Sequence, residues 1–254
     1  MRWRGRAGSS NIEDRRGRGM ALPVGGGIGG LLLVLLFSAL TGQNPADLID
    51  SAPSSETTAT TGAGDDTDSQ FLSVILGDTE RAWERLFAER GAVYEPPVLV
   101  LFTGATQSAC GVGQAAMGPF YCPADRKLYL DTSFFDELDR RFGAPGDFAQ
   151  AYVVAHEVGH HVQTLLGRRD PGVAMELQAD CYAGVWGHFA AQQGYLDPGD
   201  VEEGLQAAAA IGDDRLQQQT QGRVVPESFT HGSSAQRAAA LRRGMEAGRP
   251  EACQ

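Results

Sequence analysis

The chain of 254 residues contains a single lysine, Lys127, and no closely spaced pair of cysteines. Its net charge is −11, to which residues 1–20 contribute +4 and residues 41–70 contribute −6, so residues 71–254 carry −9. A nucleic-acid partner requires clustered Lys or Arg, and this acidic balance therefore argues against nucleic-acid binding. The lack of a C-x-x-C pair argues against a structural zinc knuckle, and the lack of internal repeats excludes a solenoid.

The sequence has four cysteines, Cys110, Cys122, Cys181 and Cys253. Four cysteines allow three pairings, and their order favours Cys110 with Cys122 and Cys181 with Cys253. Paired cysteines are typical of proteins that fold in an oxidising compartment.

Charge and hydropathy divide the chain into four parts. An Arg-rich N-terminus, residues 1–20, precedes residues 21–40, which carry no charge and end in LLLVLLFSAL. Twenty helical residues rise about 30 Å, the thickness of the hydrocarbon core of a bilayer, so 21–40 is predicted to be a transmembrane helix. A cleaved signal peptide is the alternative, but Ser38-Ala39-Leu40 is a poor cleavage site.

The flanking charges predict the orientation of this segment. Arginines precede it and acids follow it, which favours a cytoplasmic N-terminus and a single pass through the cytoplasmic membrane. Residues 41–70 are rich in Ser, Thr, Asp and Gly and are predicted to form a flexible acidic linker. Residues 71–254 are then expected to fold as one extracytoplasmic domain.

Sequence patterns in 71–254 predict an α+β domain, mainly helical with a small antiparallel sheet. The segments VLVLF (98–102), FYC (120–122) and KLYLD (127–131) have the composition of strands. Hydrophobic periodicity and helix-ending glycines predict helices at about 71–91, 148–166, 171–193, 198–220 and 234–247. Asp147, Asp170 and Asp197 are the expected N-caps of three of them.

The stretch VVAHEVGHHVQTLLG, residues 153–167, places three histidines and an acid in an otherwise apolar helix. His156 and His160 lie about 40° apart around the helix axis and about 6 Å apart along it, so both can reach one ion. His161 is about 100° further round and is expected to be a structural or surface histidine. The pattern matches H-E-x-x-H, in which two histidines hold zinc and the acid, here Glu157, is the general base.

The alternative is a solvent-facing helix in which this pattern occurs by chance. Apolar flanks predict a largely buried helix instead, where unpaired histidines and a carboxylate would be costly. Gly159 also indicates that another segment packs closely there, since glycine is unfavourable inside a helix. These features favour the metal site.

A catalytic zinc site takes three protein ligands and keeps one open position. MELQAD, residues 175–180, places Glu176 and Asp180 four residues apart on the next predicted helix, and either could be the third ligand. If Glu176 is the ligand, Asp180 can accept a hydrogen bond from the free ring nitrogen of a zinc histidine.

H-E-x-x-H followed by E-x-x-x-D resembles the thermolysin-like (gluzincin) metallopeptidases. More narrowly, the chain resembles the YpfJ-like family of membrane-anchored neutral zinc metallopeptidases. The resemblance lies in MRWRGRAGSSNIEDRRG, ACGVGQAAMGPFYCPADRKLYLDTSFF, AHEVGHHVQ, ELQADCYAGVW and SFTHGSSAQR. It implies a zincin-like domain that hydrolyses peptide bonds, with Zn²⁺ held by His156, His160 and Glu176, and it favours Asp180 as the residue behind the ligands.

The resemblance also implies that an extended peptide or protein substrate pairs with a strand edge, for which KLYLD and VLVLF are the candidates. His231 and Arg237 are the candidates for contact with the oxyanion or substrate, although His231 could equally be a loop or capping histidine. His188 is expected to be a packing residue. A metal-bearing but catalytically silent scaffold protein at the cell surface is the alternative function, and a metal-free adhesin is a more remote one.

Overall fold

The computed structural model describes residues 1–17, 66–168 and 171–254, which are mainly helical with two small sheets. The α+β prediction is confirmed in these residues. The strands are β1 (Ile12–Asp14), β2 (Val98–Phe102), β3 (Ala105–Ser108), β4 (Gly111–Gln114), β5 (Phe120–Cys122) and β6 (Lys127–Asp131). The helices are α1 (Thr67–Ala88), α2 (Ser133–Arg140), α3 (Asp147–Leu165), α4 (Val173–Gln192), α5 (Asp200–Ala210), α6 (Asp213–Gln221) and α7 (Ser234–Ala247).

The larger sheet has the order β1-β2-β6-β5 and mixes two kinds of pairing. β2 is parallel to both β1 and β6, and β5 is antiparallel to β6. The prediction of an antiparallel sheet was therefore wrong for β2 and β6, because β5 precedes β6 and turns the chain back into the direction of β2. A separate antiparallel hairpin, β3-β4, was not predicted.

Residues 1–17, expected to be a separate cytoplasmic arm, pack into the same body as residues 66–254. β1 forms an edge of the larger sheet. The Trp3 side chain is 8% exposed and packs edge-on against Phe71, with ring centroids 5.4 Å apart. The Arg16 guanidinium lies 2.7 Å from the Asp66 carboxylate, so the end of the first described range and the start of the second lie side by side.

The predicted transmembrane helix, residues 21–40, and most of the predicted linker lie outside the described residues. In the ranges that are described, no helix has the length and apolar character needed to cross a membrane. Residues 66–70 were assigned to the linker, but they begin α1. Asp66 is its N-cap, and the carboxylate accepts a hydrogen bond from Ser69 N at 2.7 Å.

The predicted helices at 148–166, 171–193 and 234–247 are confirmed as α3, α4 and α7; the ends of α3 and α4 differ by one or two residues, and those of α7 agree. The helix predicted at 198–220 is two helices, because Gly212 adopts an extended conformation against α7. A Cβ there would lie 2.3 Å from Ser234 N. Glycines, not the predicted aspartates, occupy three N-cap positions: Gly146 for Asp147, Gly172 for Asp170 and Gly199 for Asp197. Asp170 itself lies outside the described residues. The helix α2 was not predicted.

Both disulfides expected from the cysteine order are present. Cys110–Cys122 connects the turn of the β3-β4 hairpin to β5. Cys181–Cys253 connects α4 to the short 3-10 turn Pro250–Cys253 at the C-terminus.

Replacing Trp3 by alanine should destabilise the whole domain, because it removes a large side chain that is packed in the core. We expect the free energy of unfolding to fall by about 3–5 kcal/mol, measured by urea titration of the full chain. Val93→Ala is the control, because Val93 is 85% exposed and its truncation should change the free energy by less than about 0.5 kcal/mol. Equal stability of the two variants would show that residues 1–17 are not part of the folded core.

Candidate metal centre

Helix α3, which carries the H-E-x-x-H residues, runs through the interior of the domain. It packs against α1, α4, α5 and the larger sheet. Because most of its surface is buried, its polar side chains need partners from neighbouring elements.

The close approach of α4 supplies these partners. A Cβ on Gly159 would lie 2.9 Å from the backbone oxygen of Ala179, so any larger residue would push α3 and α4 apart. The close packing predicted from Gly159 is thus confirmed. It places Glu176 of α4 beside the two histidines of α3.

His156, His160 and Glu176 point their ligand atoms at a common centre. Glu176 Oε2 lies 3.3 Å from His156 Nε2, and Glu176 Oε1 lies 3.5 Å from His160 Nε2. One candidate ligand atom from each of these three residues lies within 4.8 Å of the other two. Bonds of about 2.0–2.1 Å in tetrahedral geometry put zinc ligands about 3.3 Å from each other, so spacing and donor chemistry both fit zinc.

The Nδ1 atoms of His156 and His160, the ring nitrogens that do not face Glu176, each have a hydrogen-bond partner. His156 Nδ1 lies 2.7 Å from Asp180 Oδ1, and His160 Nδ1 lies 2.9 Å from Gln163 Oε1. These bonds fix the rings so that each Nε2 faces Glu176. Asp180 therefore lies behind His156, on the side away from Glu176, and the geometry favours Glu176 as the third ligand.

The carboxylates of the centre are held in their ionised forms. Burial alone would raise the pKa of Glu176, but His156 and His160 bring it far below its usual range. Burial would lower the pKa of His156, but Asp180 and Glu176 raise it to about 10. A bound cation would replace the proton that the histidine otherwise carries, so metal binding should release protons.

Asp180 accepts hydrogen bonds from three side chains. Besides His156, the Tyr152 hydroxyl donates to Oδ1 at 2.5 Å, and Arg237 donates to both oxygens at 2.9 Å. Burial alone would raise the pKa of Asp180, but Arg237 and His156 hold it well below its usual range. The role of Tyr152 was missed, although it lies one helical turn before His156 and so shares its face.

Arg237 is 2% exposed, and its guanidinium is engaged by Asp180. The sequence suggested a contact between Arg237 and the oxyanion or substrate. This side chain does line the cavity described below, but its Nε and Nη2 atoms point at Asp180. Its geometry is that of a support for the carboxylate behind His156.

A cavity of about 1030 Å³ opens in front of the ligand atoms. Glu157 lines it beside the two histidines of α3, and His231 lines it from the loop before α7. The carboxylate of Asp213 holds His231, with Oδ1 3.2 Å from His231 Nδ1 and Oδ2 accepting from the His231 backbone N–H at 2.7 Å. The cavity therefore combines a candidate base and a half-exposed imidazole around the three ligands.

The other two histidines lie away from the ligand atoms. His161 is buried on another face of α3, where its ring nitrogens contact the Tyr121 hydroxyl and the Glu95 carbonyl. Burial lowers its pKa to about 4, so it is neutral. His188 contacts the Met245 carbonyl, at the packing interface of α4 and α7.

The strand edge nearest the ligands belongs to β5. The candidates KLYLD (β6) and VLVLF (β2) are both inner strands that are paired on each side, so neither can accept a peptide strand. β5 is an edge strand that packs against α3, and Phe120 and Tyr121 line the cavity. The edge-strand candidates from the sequence were therefore wrong, because a short segment of three residues forms the edge.

Comparison with known proteins agrees with this geometry. The model of the family described as "Putative neutral zinc metallopeptidase" matches residues 1–254. The "Uncharacterized protein YpfJ" of Escherichia coli strain K12 is 49% identical over 280 aligned positions, which cover 100% of this chain and 98% of the relative. The "Uncharacterized protein Rv2575" of Mycobacterium tuberculosis strain H37Rv is 47% identical over 182 positions, 63% of this chain and 62% of the relative. No solved structure matches. The chain belongs to the family described as "Putative neutral zinc metallopeptidase".

Proposed function

We propose that the protein is a zinc-dependent peptidase in which His156, His160 and Glu176 hold Zn²⁺ and Glu157 is the general base. The observation that carries this proposal is the spacing of Glu176 from the two Nε2 atoms, 3.3 and 3.5 Å, in a cavity that Glu157 also lines. Membership of a family described as zinc metallopeptidases supports the same reaction.

Zinc bound by these residues would polarise the scissile carbonyl and lower the pKa of the attacking water. Glu157 takes one proton from this water as its oxygen forms a bond to the carbonyl carbon. Glu157 then delivers this proton to the amide nitrogen as the C–N bond breaks, which yields a carboxylic acid, with the second proton of the water, and an amine. The burial of Glu157 at the cavity wall keeps it beside the reacting atoms.

An extended peptide could reach these groups by pairing with the free edge of β5. Main-chain hydrogen bonds would bind the peptide in register, and its side chains would alternate between the cavity and solvent. We therefore propose a peptide or an unfolded protein segment as the substrate.

His231 is the residue we propose to stabilise the negative charge that develops on the carbonyl oxygen. Burial alone would raise the pKa of Asp213, but hydrogen bonds from His231, Gly232 and Thr230 lower it. The resulting carboxylate orients the imidazole, with Asp213 Oδ1 3.2 Å from His231 Nδ1. A donor aimed at developing charge contributes about 2.7–4 kcal/mol in enzymes that use one.

Replacing Glu157 by glutamine should abolish hydrolysis while leaving zinc bound, because the amide cannot accept the proton. We expect kcat for a peptide library to fall about 10²- to 10⁴-fold at unchanged zinc content, measured by mass spectrometry of the metal and of the cleavage products. Glu176→Ala is the comparison, since it should lose the metal itself. A wild-type protein that holds zinc but cleaves no peptide would instead favour the catalytically silent scaffold.

Replacing His231 by alanine should lower kcat about 100-fold without loss of zinc, because the substitution removes a donor and no ligand. His188→Asn is the matched control, because this histidine bonds the Met245 carbonyl and does not line the cavity. Equal kcat values for the two variants in a steady-state assay would remove His231 from the mechanism.

We further propose that the folded body lies outside the cytoplasm, with residues 1–17 on the same side as residues 66–254. The two disulfides support an oxidising compartment. The pairing of β1 with β2 and the Arg16–Asp66 ion pair support a shared side. A single crossing at 21–40 would separate these parts, so this proposal replaces the orientation expected from the flanking charges. Membrane attachment through 21–40 remains a prediction from sequence.

Cysteines introduced at Arg4 and Val93, both exposed, should react equally with a membrane-impermeant thiol reagent on intact spheroplasts. Labelling of Val93→Cys alone would place residues 1–17 in the cytoplasm and refute the shared side. Labelling of neither variant until the cells are broken would refute the extracytoplasmic location.

A further inference from the structure

We propose that Gln163 is a positioning residue that sets the tautomer of His160 and thereby the affinity of the centre for zinc. The inference rests on the proposed function, since it concerns the same three ligands. Gln163 lies one turn after His160 on α3, and it was not singled out from the sequence.

The hydrogen-bond partners of the Gln163 side-chain amide allow it to adopt only one of its two possible orientations. Its side chain is 0% exposed. Its Nε2 donates to the Met175 carbonyl at 2.7 Å and to Gln178 Oε1 at 3.2 Å. Because both of these partners are acceptors, the NH₂ group must face them, and Oε1 must face His160 Nδ1 at 2.9 Å.

This orientation determines where the imidazole carries its proton. An amide oxygen can only accept, so His160 Nδ1 must be the N–H, and in the neutral imidazole Nε2 then keeps its lone pair. The lone pair faces Glu176, where the cation would bind. Gln163 therefore directs His160 Nε2 toward the candidate metal position through an uncharged partner, whereas His156 Nδ1 is held by the charged Asp180.

The C-terminus holds this arrangement in place. Gln178, itself buried, donates from Nε2 to the Cys253 carbonyl at 2.9 Å. Cys253 is bonded to Cys181, the residue that follows Asp180. Asp180, which contacts His156, and the partners of Gln163, which contacts His160, thus all lie in the first half of α4. The Cys181–Cys253 disulfide connects this part of α4 to the C-terminus.

The test is made on the full chain. It distinguishes the role of the Gln163 oxygen, which accepts from His160, from that of the Gln163 NH₂ group, which donates to Met175. Gln163→Leu removes both, and Gln163→Glu keeps the acceptor for His160 but removes the donor to the Met175 carbonyl. Zinc affinity is measured by competition with a chelator, and the stability of the metal-free protein by urea unfolding. Gln150→Leu, on the same helix but outside the metal cavity, is the control.

We expect Gln163→Leu to raise the zinc dissociation constant about 10- to 100-fold, whereas Gln163→Glu and Gln150→Leu leave it close to the wild-type value. Both substitutions at Gln163 should lower the stability of the metal-free protein, because the Met175 carbonyl loses its donor. Equal dissociation constants for Gln163→Leu and Gln163→Glu would overturn the inference, since a merely structural residue predicts this result. A wild-type chain that binds no zinc would instead refute the proposed function.

Discussion

The contact between Gly159 and Ala179 is the constraint on which the candidate metal centre depends. The two histidines belong to α3 and the carboxylate that faces them belongs to α4, so their separation is set by the distance between the helices. Alanine would be preferred to glycine in an isolated helix by about 1 kcal/mol. At this crossing, however, a methyl group would meet the backbone of the neighbouring helix. Glycine at this position therefore lowers the helix propensity of α3 but allows α3 and α4 to pack in contact.

The same crossing buries a carboxylate, Asp180, that would be very unfavourable without partners. Three donors, from His156, Tyr152 and Arg237, compensate for its loss of water. Arg237 comes from α7, so the centre also requires the C-terminal helix to be docked. A buried network of this kind specifies one arrangement, since removing any one member leaves a buried charge or polar group without a partner.

Spacing in the sequence predicted which candidate ligands share a helix face, because that relation is local. The choice of Glu176 over Asp180 came from the family resemblance. Residues four apart on one helix share a face whatever surrounds the helix, and this holds for His156 with His160 and for Glu176 with Asp180. The partners of Asp180 and the orientation of Gln163 depend on packing between helices, which no spacing rule reports. The two parallel pairs of the sheet were missed for a related reason, because β1 and β2 are far apart in sequence and β1 is only three residues long.

The N-terminal strand connects the two halves of the molecule that the sequence seemed to separate. β1 pairs with β2, β2 with β6, and β6 with β5, whose residues line the cavity beside α3. Glu13 of β1 adds an ion pair to Lys127 of β6, with 2.7 Å between Nζ and Oε2, across the intervening strand. Among the described residues β1 therefore forms one edge of this sheet and β5 forms the other, beside the candidate ligands. The substrate strand proposed above would extend the sheet at the edge opposite β1.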